Sequence, residues 1–366
     1  MNRKNNKVVV TALGVCSYMG FSIENFIDNY KKNIPERSLK IDDHLLETEL
    51  SGFKKINQRR MDRITRIAML AAAACLRDAH LELDESTIND VGGVFSTEYG
   101  PIASARNFIN SGFELGLNSA SPLLFPYTVG NAAPGTITIL MGARGFNTTL
   151  SGHNPVAYTY DVITSGKAKA ILAGGFEELA PEIEESYANR TVSKEGAKIP
   201  APISMPSEGS AMLFMEAESF ALSRNADILF EVCGYGVNSN LQKEEVSIDN
   251  FGYIADKIIT NSMAAALTRS GVDADQIGLI VSLSRNDSNQ TLSEELAIKN
   301  IWKDKAPQVH YVKQILGETF GSSGCFAAII GYLIGLDFKK TTDSKQWVMI
   351  NSYHIGGNCF SVIIAF

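Results

Sequence analysis

Asn154 stands where the surrounding residues frame a place for a nucleophile. The text Gly145-Phe-Asn-Thr-Thr-Leu-Ser-Gly-His-Asn-Pro155, followed by Val156-Ala-Tyr-Thr-Tyr-Asp-Val-Ile163, is a β-rich run turning sharply into a helical one. A side chain at such a corner sits at the positive end of the helix dipole, where a cysteine thiol is acidified and made reactive. An amide supplies neither thiolate nor alkoxide, so it cannot attack. Its structural role is a helix cap, because Asn is favoured at the N-cap and Pro at the first helical position. Ser151 shares the loop but lacks the Gly-x-Ser-x-Gly frame that exposes a serine nucleophile. His153, next door, is expected to face solvent or a partner surface. Cys325 lies in a glycine-rich turn with no helix corner or neighbouring histidine to activate it, and reads as a small buried residue. Glu318 is read as a carboxylate paired with Lys313, five residues before it.

Metal chemistry is not expected. The five cysteines form no Cys-x-x-Cys pair, and the five histidines are dispersed. A net charge of −7 leaves no basic footprint for nucleic acid. No run of 18 apolar residues suggests a membrane span, and Met1 to Lys7 leads straight into Val8-Val-Val without a signal peptide's apolar stretch. The chain therefore reads as cytoplasmic.

The elements that must carry these residues alternate between strand and helix. Strands are expected at Val8 to Thr11, Val91 to Ser96, Asn147 to Leu150, Lys169 to Gly174 and Ala211 to Glu216. Helices are expected at the alanine-rich Arg63 to Ala79 and over Thr136 to Met141, which Gly142 ends. The order then repeats. Phe230 to Gly236 opens a second half, the helix Ile254 to Ser270 leads into Leu279 to Leu283, and Gly324 to Leu336 precedes strands at Trp347 to Ile350 and Ser361 to Ala365. The pattern predicts an α/β chain with mostly parallel, buried sheets, in two similar halves spanning 1–222 and 223–366. Ser38 to Asn57 and the 180–205 region are expected as surface excursions.

Six fragments, in order, resemble the β-ketoacyl synthases of the thiolase fold. They are Val8-Val-Val-Thr-Ala-Leu-Gly-Val-Cys-Ser17; Phe125-Pro-Tyr-Thr-Val-Gly-Asn-Ala-Ala-Pro-Gly135 with Gly142-Ala-Arg-Gly145; Ala173-Gly-Gly-Phe-Glu-Glu178; Ser207-Glu-Gly-Ser210; Lys313-Gln-Ile-Leu-Gly-Glu-Thr-Phe-Gly-Ser-Ser-Gly324; and Asn351-Ser-Tyr-His-Ile-Gly-Gly-Asn358. The resemblance implies five layers, α-β-α-β-α. It also implies a site in which a cysteine takes an acyl chain while two histidines promote decarboxylation of a malonyl unit held on a carrier protein.

Carried onto this chain, the cysteine position falls at Asn154. The first histidine position falls at Leu283, within Ser282–Asp287, and the second at Glu318, while Lys313 is kept. Losing a nucleophile and its partners removes several orders of magnitude of rate. The resemblance therefore extends to chain-length factors of type II polyketide synthases, ketosynthase-like subunits that lack the cysteine and pair with an active ketosynthase. Those subunits often carry glutamine where this chain has asparagine.

By that resemblance the partners are an active ketosynthase and an acyl carrier protein, and the substrate rides on the carrier's phosphopantetheine with no cofactor held here. Phe113, Phe125, Tyr127 and Val129 become candidate gates of a tunnel that sets chain length, since rigid rings end a tunnel by filling it. An aromatic polyketide is favoured as the product class, and an aryl polyene stays open. Two other readings remain. One is a diverged acyltransferase or hydrolase using Ser151 or Cys325, and the other a carrier-protein-binding scaffold.

Overall fold

The computed structural model describes residues 7–33, 39–116, 121–188, 205–239, 254–284, 288–339, 345–354 and 356–366. The first half runs β1 (Val8–Ser17), α1 (Ile23–Lys32), α2 (Asp43–Ser51), α3 (Arg63–Ala79), β2 (Val91–Ser96), α4 (Ile102–Leu115), α5 (Ala132–Met141), β3 (Asn147–Leu150), α6 (Pro155–Thr164), β4 (Ala170–Glu177), α7 (Pro181–Ala188), β5 (Gly209–Ala217) and α8 (Glu218–Ser223). The second runs β6 (Phe230–Ser239), α9 (Asp256–Ser270), β7 (Ile277–Ser282), α10 (Ser288–Trp302), β8 (Gln308–Tyr311), α11 (Lys313–Leu316), α12 (Ser323–Lys339), β9 (Trp347–Tyr353) and β10 (Asn358–Ala365).

The strands join in the order β3-β2-β4-β5-β1-β6-β10-β9-β7-β8. Outward from the centre, each half repeats one pattern. The strand that opens the half sits innermost, pairs antiparallel with the strand that closes it, and leads through a second antiparallel ladder to two parallel ones. The halves meet where Val8 to Val10 pair antiparallel with Phe230 to Val232. The expectation of mostly parallel sheets is thus corrected: half of each five-stranded unit's ladders are antiparallel. Burial misled that reading, because β1, β4 and β5 are buried along their whole length and carry the unbroken apolar runs that parallel strands also show.

Three apolar clusters account for the five layers. One packs α3 against β1, β2, β4 and β5; a second packs α9 and α10 against β7, β9 and β10. The largest lies between, holding α6 and α12 with residues from both halves. The alanines of α3 let it approach closely: Gly14 of β1 lies so near Ala71 and Cys75 that a Cβ there would collide. α12 is apolar all round, as a helix buried on every side must be. By length and mean hydropathy the stretch Phe320–Asp337 could cross a membrane, but 72% of it is buried inside the molecule as a core helix.

The supposed excursions are partly structured. Leu46 and Leu50 of α2 are buried, and Arg63 ties the segment down by pairing with Asp43 and Glu208 and donating to the Ile41 carbonyl. α7 buries Ile183 and Tyr187 against Phe320; residues 189–204 lie outside the described residues.

Candidate functional site

The site forms at the C-terminal ends of β2, β3, β4, β7 and β9, where the N-termini of α6 and α12 meet. Asn154 is almost fully buried and caps α6. Its Oδ1 accepts from the Val156 and Ala157 backbone N–H groups at 3.0 and 3.3 Å. Its Nδ2 donates to the Ser352 Oγ at 3.1 Å. Both ends of the amide are committed inside the protein. Gly324, near the start of α12, presses on it so closely that a Cβ would come within 2.8 Å of that nitrogen.

Glu318 is held as firmly. Its Oε2 accepts from Lys313 Nζ at 2.6 Å, and its Oε1 accepts from the Phe320 N–H at 3.1 Å and the Ser323 Oγ at 3.3 Å. Lys313 and Glu318 are both buried, an ion pair enclosed by protein. The backbone of Glu318 adds a short parallel bridge to Pro206, through Met205 and Ser207. Leu283 is buried just past β7, its N–H donating to the Asn351 carbonyl at 2.9 Å. The rest of its segment, 285–287, lies outside the described residues.

The three positions are brought together. Leu283, Glu318, Ser323 and Ser352, the partner of Asn154, line one cavity of about 20 Å³. That is room for roughly one water molecule. Glu98, Phe320, Tyr353 and His354 complete its wall. Behind it, Glu177 pins the loop after β2 to the turn before α12, accepting from the backbone N–H groups of Glu98 and Gly321 and from the Thr97 hydroxyl. Burial pushes the Glu177 carboxyl up to about 8 against the pull of those donors.

The other residues singled out in the sequence lie around this site and on the surface. His153 is half-buried: its ring packs on Phe360 at 4.7 Å and on Tyr158 at 5.6 Å, and burial pushes its pKa down. Cys325 is fully buried and its thiol is pushed up, away from thiolate character. Ser151 is exposed at the loop tip. Phe113, Phe125 and Val129 stand on an exposed face, with Tyr127 half-buried beside them.

Sequence reasoning missed Glu98, Ser352 and His354.

Residues 24–201 match the family model "Beta-ketoacyl synthase, N-terminal domain". The chain is 24% identical over 367 residues to the 3-oxoacyl-[acyl-carrier-protein] synthase 2 of Staphylococcus aureus (strain COL), covering 92% of this chain and 87% of that protein. It is 23% identical to the protein of the same name from Synechocystis, covering 90% and 85%. Among solved structures, the ishigamide ketosynthase/chain length factor superposes with a TM-score of 0.79 at 18% identity, covering 98% of both chains. A type II polyketide acyl-carrier protein in complex with its ketosynthase bound to the hexaketide gives 0.79 at 19%, covering 99% of both. A β-ketoacyl synthase from Burkholderia phymatum gives 0.79 at 19%, covering 98% and 99%. The chain has the thiolase fold, and residues 24–201 are similar to the N-terminal domain of β-ketoacyl synthases.

Proposed function

We propose that this chain is a ketosynthase-like subunit that does not condense acyl units itself: the chain-length factor of a type II polyketide synthase, paired with an active ketosynthase and served by an acyl carrier protein. The observation that carries this reading is Asn154, whose amide is spent on capping α6 and on Ser352. No thiol stands at the corner, and neither Leu283 nor the Lys313-bound Glu318 can donate to a developing enolate as a neutral imidazole would.

The exposed face supports the pairing. Phe113, Leu123, Phe125 and Ile139 are 85%, 81%, 59% and 83% exposed. They lie on α4, on α5 and at the turn between them, with Phe108 and Phe125 in ring contact at 5.7 Å. Apolar surface on this scale is unusual for a protein that works alone and fits an obligate partner. β3 borders it as an edge strand with one row of backbone groups unpaired. In this reading Phe113, Phe125, Tyr127 and Val129 gate a tunnel closed jointly with the ketosynthase. The substrate is delivered on the carrier's phosphopantetheine, an aromatic polyketide being favoured over an aryl polyene.

Co-expression with a ketosynthase encoded beside it tests the proposal. The expected result is a 1:1 complex that elongates malonyl units on a carrier protein, while the chain alone elongates none. Condensation by the isolated chain, or persistence as a homodimer beside an active ketosynthase, would sink it; the second outcome would favour a carrier-binding scaffold.

A further inference from the structure

We infer that Phe320 is a strained plug: held in a left-handed backbone conformation by two buried carboxylates, it keeps the central cavity closed to anything larger than a water molecule. Five residues other than glycine have a positive φ among the described residues: Asn33, His80, Asn225, Lys303 and Phe320. The first four are exposed, and each follows the last turn of a helix (α1, α3, α8 and α10), where a left-handed residue is an ordinary way to stop. Phe320 is different. It stands in the turn before α12, is 8% exposed, and has a φ of 49°. A bulky side chain in that region crowds its own backbone, and persists there only where the surrounding structure imposes it.

Two carboxylates impose it. Glu318 Oε1 accepts from the Phe320 N–H at 3.1 Å, and Glu177 Oε1 accepts from the Gly321 N–H at 3.2 Å. The peptide groups on either side of the Phe320 Cα are therefore both fixed. Each carboxylate is anchored in turn, Glu318 by Lys313 Nζ at 2.6 Å, and Glu177 by the Thr97 hydroxyl and the Glu98 N–H. The turn cannot slide, because Gly321 lies so close to the loop after β2 that a Cβ would come within 2.6 Å of the Thr97 Cα.

The ring is wedged edge-on between Tyr99 at 4.9 Å and Tyr187 at 5.6 Å. Ile102, at the start of α4, and Ile183, on α7, belong to the same apolar cluster. Phe320 also forms part of the wall of the cavity of about 20 Å³, beside Ser352 and Glu318. It thus stands between that cavity and the cluster under α4 and α7. In a close-packed interior, taking away the ring leaves a space that joins the cavity. Leaving the left-handed region releases strain, so the closed arrangement is poised to open once the Glu318 carboxylate lets go. In the assembly proposed above, on which this one consequence rests, a shut centre keeps the delivered substrate out of the silent subunit.

The test needs no partner, so its outcome stands apart from that of the pairing. S352C places a thiol in the cavity wall of the full chain, and its alkylation by iodoacetamide is mapped by peptide mass spectrometry. The expected result is slow labelling in S352C and labelling about ten- to thousandfold faster in S352C/F320G, the gain when a conformation populated at about 0.1–10% becomes the dominant one. Adding K313M/E318L, which removes the acceptor of the Phe320 N–H, should place S352C between the two. The fully buried Cys75 reports general loosening and should stay unlabelled throughout. Strain has its own readout. F320G should melt no lower than F320A, reversing the usual order, because glycine adopts a left-handed φ without cost. Equal labelling of S352C with and without the ring, or labelling that rises only together with that of Cys75, overturns the plug. An F320A chain that melts above F320G overturns the strain. If F320G does not fold, S352C/F320L, which trims the side chain instead of deleting it, must still label faster than S352C.

Discussion

The centre of this molecule and its α4–α5 face treat their side chains in opposite ways. At the centre, the groups that the resemblance places at reactive positions are answered from within: Asn154 by α6 and Ser352, Glu318 by Lys313, Leu283 by packing. On the face, large apolar side chains such as Phe113 and Ile139 are left in solvent, with nothing among the described residues to cover them. Condensing chemistry needs the reverse arrangement, with unspent groups at the centre. The contrast fits the proposed division of labour, in which condensation belongs to a partner and the exposed face meets it.

If the centre is now structural, its largest vulnerability is the buried ion pair. K313M leaves the Glu318 carboxylate enclosed without its counter-charge, which costs about 3–5 kcal/mol. Urea denaturation should show that loss, and a K313M/E318L double variant should recover most of it, because both charges then vanish together. A K313M chain as stable as the parent would break the comparison at once.

A pH series should bring out the next effect. Glu177 and Glu178 are raised to about 8 and about 7 from an ordinary 4.5, in each case chiefly by burial. The folded chain therefore holds protons that the unfolded chain has released, and stability is lost as pH rises from about 5 to about 8. The lowered imidazoles of His153 and His310 act oppositely below their usual 6.5, since the unfolded chain takes up those protons more readily. Thermal melts should peak near pH 6 and decline on the alkaline side, and E177Q should flatten that decline.

Capping comes third. N154A removes the acceptor for two N–H groups at the start of α6 and should cost about 1 kcal/mol, within the range of cap deletions. It also strips Ser352 of its donor. N154D keeps the cap but loses that donor, so comparing the two variants in denaturant separates the capping bond from the bond across to β9.

How much of this was legible in the sequence depends on the range of the interaction. The capping reading of Asn154 rests on its immediate neighbours, Pro155 and the helical run behind it, and such local preference is visible in one dimension. The repeat was visible because apolar runs recur in the same order in both halves. Ladder direction was not, since a strand buried on both faces looks alike whether its neighbour runs with it or against it. α2 was missed because Leu46 and Leu50 are buried only once Arg63 and Glu208, far apart in sequence, draw the segment onto the body. His354 was overlooked for the same reason: only the fold brings it beside Glu98, from the loop after β2, in the wall of the central cavity.

The face should give the smallest effect on folding and, in the proposed assembly, the clearest effect on function. Phe113 and Phe125 bury little in the single chain. A change to serine at both should alter its unfolding free energy by no more than about 0.5 kcal/mol, as for exposed sites without special contacts. In the complex the same rings would lie within the interface, where truncating a buried aromatic anchor costs about 2 kcal/mol or more. Two such losses would weaken pairing with a ketosynthase by well over tenfold. Denaturation of the F113S/F125S chain alone, beside size-exclusion chromatography of the mixture, reads both quantities from one preparation. Unchanged pairing with unchanged stability would show that these rings serve neither fold nor partner. A stability loss of several kcal/mol would mean instead that the face is covered in the free chain, as when two copies associate.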